Sequence, residues 1–282
     1  MKKLLQDRNF NTIALHRPTF GGSDALGLES FSGLYLQKYC YLFESLKEAQ
    51  SELLVLKEVE LFEPEAFYVG DIKALAAAAH TDQKRFAYNN SIFGPALVNP
   101  FKWGANIVLD CLLGYGIVSA NSPLELGREL SRSAQRNIKL ECLEMQTLKL
   151  SRFEQSDNAK IVSSYLYAHP KTLSLKSGWH MPDEKRALAQ KYSPQGYAPL
   201  IELEVSSTIN FEKVKDELNL IEVQAYDMQD ISAGKIGQII ASKKTFLLYN
   251  TYQHLSNSSK LYLFIGIEFI DDIIDELENL LA

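Results

Sequence analysis

The second half of the chain is dominated by apolar and polar positions that alternate with a period of two. From Ile201 to Phe211, the residues Ile201, Leu203, Val205, Ile209 and Phe211 fall on one face, with Glu202, Glu204, Thr208 and Asn210 on the other. Such a run is about twice the usual strand length and predicts a long amphipathic strand. Ile138 to Leu150 alternates Ile138, Leu140 and Cys142 with Lys139 and Glu141, then slips phase at Leu143 and continues through Met145. A single slip inside an alternating run is what a β-bulge looks like in sequence, so this segment too is predicted as a strand. Ile221, Val223 and Ala225 repeat the pattern against Glu222 and Gln224, and Thr245–Tyr249 and Leu261–Ile267 add apolar strands.

The first half is more broken. It predicts a short helix over Lys2–Arg8 and a strand over Thr12–Arg17, ended by Pro18 and the Gly21-Gly22 turn. A strand is predicted over Leu54–Leu61 and an Ala-rich helix over Ile72–Ala79. Further helices are predicted over Ala159–Tyr167, capped near Ser156 or Asp157, and over Glu184–Tyr192. The last helix has the clearest pattern. Ile270, Ile273, Ile274, Leu277, Leu280 and Leu281 make one apolar stripe, and Asp271, Asp272, Asp275, Glu276 and Glu278 make the opposite face. No repeat and no linker rich in Pro, Gly or Ser divides the chain. The expectation is an α+β fold: a central twisted antiparallel sheet with long amphipathic strands, flanking helices and a C-terminal docking helix. Residues 1–265 form the body and residues 266–282 an acidic tail.

Composition narrows the partners. A formal net charge of −6 argues against nucleic acid, which draws on a clustered surplus of Lys and Arg, and against constitutive attachment to an anionic membrane. Cys40, Cys111 and Cys142 are too widely spaced for a zinc site or a disulfide framework. Cys111 and Cys142 are expected as buried thiols of a cytoplasmic protein. The opening Met1-Lys2-Lys3-Leu4-Leu5 is interrupted by Asp7 and Arg8, so no secretion signal is expected. The apolar run Gly104–Ile117 is too short to span a bilayer as a helix and contains Asp110.

The tested chemical motifs are incomplete. The histidines, among them His16, His80 and His169, form no HExxH pair. Gly114-Tyr115-Gly116 lacks the third glycine of a dinucleotide fingerprint and predicts a turn between apolar strands. Pro182-Asp183-Glu184-Lys185 begins like a nuclease motif, but Glu202 and Glu204 have no lysine two residues on. Ser23 lacks a nucleophile elbow. No catalytic residue, cofactor or metal is assigned, and the protein is expected not to be an enzyme. Ile265-Gly266-Ile267-Glu268 followed by Asp271-Asp272-Ile273-Ile274 resembles the C-terminal strand and helix of pyridoxal-phosphate enzymes of sulfur-amino-acid metabolism. The match is short, the chain is short for that fold, and no lysine sits in a Schiff-base context. It reads as convergence on an acidic terminal helix.

As a series of elements, the chain is similar to bacterial gasdermins. The stretch Leu4 to Pro18 resembles their opening helix and strand, the long strands of the second half resemble the sheet they remodel, and Leu261–Ile267 with the last helix resembles their autoinhibitory end. The family usually carries an acylated cysteine within its first few residues, and here the first is Cys40. The resemblance implies an autoinhibited pore-forming protein of bacterial antiviral defence and cell death. Its implied partners are an activating protease, an anionic membrane after cleavage and further copies of itself in an oligomer. It would be cytoplasmic, moving to the inner membrane once activated. In this reading Ile270, Ile273, Ile274, Leu277 and Leu281 lock the tail, cleavage falls near Asn257, Ser258 and Ser259, and Lys2, Lys3, Arg8 and Arg17 face lipid. Two other readings stand beside it: a non-enzymatic structural or binding protein of a phage or defence assembly, and an enzyme with a dispersed active site.

Overall fold

The computed structural model describes residues 14–15, 39–43, 46–54, 59–62, 68–112, 115–121, 138–206, 209–226, 239, 242–250 and 259–281. Two compact units emerge. The first holds residues 1–64 and 71–149, the second residues 65–70 and 150–282. The segment 266–282 falls within the second.

In chain order the first unit has β1 (Ala14–Leu15), β2 (Tyr39–Phe43), α1 (Leu46–Leu54), β3 (Val59–Phe62), α2 (Ile72–Thr81), β4 (Arg85–Asn89), α3 (Gly94–Leu97), a 3-10 turn at Pro100–Trp103, β5 (Ile107–Leu112) and β6 (Tyr115–Ala120). Its six-stranded sheet has the order β1-β2-β6-β5-β4-β3. β3, β4 and β5 run parallel, while β5 with β6, β6 with β2, and β2 with β1 are antiparallel. The sheet is therefore mixed, because helical crossovers separate β3 from β4 and β4 from β5, and a crossover returns the chain in the same direction. α2 forms where expected: its alanines favour the helix, and the Asp71 side chain accepts from Ala74 N at 3.2 Å to cap it.

The second unit begins inside α4 (Ile138–Ala168) and continues through β7 (Thr172–Ser177), α5 (Asp183–Tyr192), β8 (Leu200–Val205), α6 (Phe211–Glu217), β9 (Glu222–Tyr226), β10 (Phe246–Asn250), β11 (Ser259–Phe264) and α7 (Ile270–Leu281). Its sheet order is β7-β8-β11-β10-β9, antiparallel except for the β9–β10 pair. One core joins Val162 and Leu166 of α4 and Ile273 and Leu277 of α7 to Ile201, Leu203, Leu247, Leu261 and Leu263 of the sheet.

Two predicted long strands are corrected. Ile138–Leu150 is helical, part of a 31-residue helix. Its Leu, Lys, Glu, Met and Gln are helix formers, and apolar residues crowded this closely satisfy a helical period as well as an alternating one. Ala159–Tyr167 lies in the same helix, so Ser156 is no cap; it is buried there, and its Oγ accepts from Tyr197 N at 2.9 Å. The strand from Ile201 stops at Val205, and Asn210 caps α6 by accepting from Lys213 N at 3.3 Å. Phe211 thus belongs to a helix, not to a continued strand. No described strand exceeds six residues.

Candidate functional site

The carboxyl ends of parallel strands are where open α/β sheets receive ligands, since the helices that follow present free backbone groups there. In the first unit, β4 reaches that edge with Asn89-Asn90-Ser91. Oδ1 of Asn89 accepts from the Ser91 backbone N–H at 3.1 Å and from its hydroxyl at 2.6 Å, folding the chain over as an Asx turn. Asn90 N–H donates to Leu109 O of β5 at 2.7 Å, and Gly94 N–H donates back to Asn90 O at 2.6 Å. Gly94 has φ of 70°, a left-handed backbone that suits glycine. Pro95 follows it in the first turn of α3.

The Asn90 side chain turns inward. Nδ2 donates to Val98 O at 3.1 Å and to Oδ1 of Asp110 on β5 at 3.2 Å. Asn90 and Asp110 are both fully buried, as are Ser91 and Ser119 nearly so. Two residues before Asn90, the Tyr88 ring lies 5.8 Å from that of Phe62. Burial pushes the Tyr88 phenol well above its ordinary pKa, so it stays a neutral donor. The edge is therefore a tight assembly of amides, hydroxyls and one carboxyl group.

The second unit places Ser177 Oγ 3.2 Å from Nδ1 of His180. The same oxygen accepts from the backbone N–H of Trp179 and His180, at 3.3 and 3.1 Å. His180 stacks on Tyr167, with ring centroids 4.7 Å apart. Burial first, and then the charge of Arg186, lower its pKa. A cation is the wrong sign to orient a general base, so the Ser177–His180 contact is that of a turn. Among the described residues no group of three or more His, Cys, Asp or Glu side chains is arranged to hold a metal.

The residues singled out from sequence are dispersed. Ile273, Leu277 and Leu281 are buried in the second unit's core, with Ile270 and Ile274 half-buried. Ser259 opens β11 and is buried, its Oγ accepting from Ile209 N at 3.1 Å. Lys2, Lys3, Arg8, Arg17, Asn257 and Ser258 lie outside the described residues. Cys111 is a buried thiol outside any disulfide, whereas the side chains of Cys40 and Cys142 lie outside the described residues. His80 bonds Asn106 Oδ1 through Nε2 at 2.7 Å, and Asp183 pairs with Arg186 at 3.3 Å in the first turn of α5. Sequence reasoning missed Asn89, Asn90 and Ser91. Their signal was a run of turn-forming polar residues directly after the apolar Phe86-Ala87-Tyr88.

No family model matches the chain. It is 25% identical over 242 residues to the chloroplastic mimosinase of Mimosa pudica, a stretch that covers 76% of this chain and 52% of mimosinase. The chain thus spans about half the length of that curated relative. Among solved structures it is similar to apo CalE6, a methionine gamma lyase from Micromonospora echinospora, with a TM-score of 0.66 and 14% identity, covering 86% of this chain and 82% of that one. It is also similar to cystathionine gamma-lyase from Lactobacillus plantarum in complex with L-serine, with a TM-score of 0.68 and 15% identity over 90% and 83% of the two chains. The fold is that of the pyridoxal-phosphate-dependent γ-lyases.

That fold overturns the gasdermin resemblance and the function, partners and localisation drawn from it. The pore-forming, autoinhibited function, the activating protease, the membrane and the oligomeric pore as partners, and the move to an inner membrane all fall with it. Among the described residues no helix is long and apolar enough to cross a membrane. The expectation of a non-enzyme is corrected as well, since the fold is shared with two solved lyases. The likeness around Ile265–Glu268, read from sequence as convergence, agrees with the likeness of the whole fold.

The residues of the site do not fit a covalently held pyridoxal group. Such a cofactor needs a lysine for its Schiff base and an acidic or basic partner for its ring nitrogen. Residues 63–71 after β3 and 113–114 after β5 contain no lysine, and residues 90–106 after β4 contain only Lys102, which is exposed. At the end of β4 stands Asn89, an amide already accepting two hydrogen bonds from Ser91. Asp110 is engaged with Asn90.

Proposed function

We propose that this chain works in amino-acid metabolism as a protein of the γ-lyase fold, binding an amino-acid-class small molecule at the carboxyl edge of β3, β4 and β5. The observation that carries the reading is the parallel β3-β4-β5 sheet with its buried polar turn at Asn89-Asn90-Ser91, on a fold otherwise met in lyases of amino acids. Fold alone does not choose a reaction, so the site has to supply the argument. Its amides and hydroxyls match a zwitterion of amino-acid size better than a membrane or a nucleic acid. Asn90 and Asp110 are positioning residues here. They fix the turn, and the backbone N–H groups beyond it meet the ligand.

Titration calorimetry of the full chain with L-serine, L-cysteine, L-methionine and L-cystathionine tests the reading. Saturable binding of at least one is expected, weakened by Asn90→Ala in a protein that still melts cooperatively. Absence of binding to all four sinks it.

A further inference from the structure

We infer that this chain forms no internal aldimine with pyridoxal phosphate, although its fold is that of enzymes that depend on this cofactor. The inference deepens the reading above, since it concerns the same edge of the same sheet. Aldimine formation joins a neutral lysine amine to the aldehyde carbon and releases one water. It needs a lysine held in the site and desolvated enough to lose its proton.

Among the described residues, the lysines of the first unit are badly placed for this. Lys47 and Lys73 lie on α1 and α2 and are exposed, as is Lys102 in the 3-10 turn. Lys84 is exposed at the amino end of β4, away from the ligand edge, and pairs with Glu60 at 3.2 Å. Lys149, half-buried, lies on α4. At the edge itself, β5 passes to β6 through Leu113 and Gly114 alone. The polar side chains at this edge are engaged with one another, in the Asn89–Ser91 and Asn90–Asp110 hydrogen bonds.

The experiment incubates the full chain with pyridoxal phosphate, reduces it with borohydride and maps pyridoxyl-lysine by peptide mass spectrometry. The expected result is no stoichiometric adduct at any single lysine, with sparse labelling spread over exposed residues such as Lys47, Lys73 and Lys102. One lysine labelled to near completion overturns the inference, wherever in the chain it lies, including Lys38 or Lys139. Calorimetry with the four amino acids, run on the same preparation without pyridoxal phosphate, separates the two claims. Loss of amino-acid binding with sparse labelling ends the proposed function and leaves this inference standing. Stoichiometric labelling with amino-acid binding intact does the reverse.

Discussion

Asn90 donates from Nδ2 to Oδ1 of Asp110 across 3.2 Å, and neither side chain is exposed to solvent. A buried carboxyl group depends on such a donor, because burial without hydrogen bonds disfavours its charge. Asn90→Ala removes this bond and the one to Val98 O. It is expected to cost about 3 kcal/mol, read as a shift in the urea midpoint. Asn90→Asp sets a second carboxyl beside the first and should cost more at neutral pH. The like-charge pair raises a folded-state pKa, so the deficit of Asn90→Asp relative to Asn90→Ala should shrink as pH falls. A deficit that does not change with pH would show that the two groups do not face each other.

The terminal helix is expected to behave as core. Glu276 accepts from the backbone N–H groups of Asn219, Leu220 and Ile221, each at 2.8 Å, so part of the acidic face seen in sequence is engaged with the body. Ile273, Leu277, Leu280 and Leu281 are buried beneath it, at about 1.5–3 kcal/mol each. A chain ending at Phe269 forfeits several kcal/mol, comparable with the whole stability of a domain. It should lose cooperative melting of the second unit. A truncated chain that melts like the full one would refute this.

Gly266 sits where no side chain fits. A Cβ there would overlap the Glu268 carboxylate and the backbone at Lys243 and Lys244. The carboxylate is held by Thr245, whose N–H and hydroxyl donate to it at 2.7 and 2.9 Å, and the same hydroxyl accepts from Gly266 N at 2.9 Å. Gly266→Ala therefore meets backbone as well as a fixed side chain, and should destabilise by about 2–3 kcal/mol in thermal or urea melts. A neutral result would mean that β11 and its turn shift freely.

Glu202 links pH to stability. Burial alone would raise its pKa, but hydrogen bonds from Lys176, Lys260 and Tyr262 outweigh burial and hold it below the ordinary glutamate value. A folded pKa below the unfolded one means that the contribution is present above the unfolded value and fades as pH falls through the folded one. Urea midpoints of the wild type should drop through that acid range more steeply than those of Glu202→Gln. Parallel curves for the two proteins would remove Glu202 from the account.

Little of the candidate site was legible. Asp110 stood out in the sequence only as a charge that breaks the apolar run Gly104–Ile117 as a membrane span. Only the pairing of β4 with β5, Asn89 opposite Leu109, brings Asn90 to it across twenty residues of chain. No local pattern encodes that approach.

Local physics determined a good deal from sequence alone: the α+β class, the alanine helix predicted over Ile72–Ala79, the start though not the length of the strand predicted over Ile201–Phe211, and the amphipathic last helix. Each rests on propensity, capping or a period that a short window contains. The tertiary structure decided the rest. Ile138–Leu150 satisfies two periods, so its alternation could not by itself tell a strand from the long helix the segment forms. Strand order and the parallel run β3-β4-β5 depend on contacts between distant residues, on which alternation is silent. The stripe on the last helix shows that it must be covered. Whether its cover is a removable surface or the unit's own core depends on what lies opposite, here Ile201, Leu261 and Leu263 of the sheet.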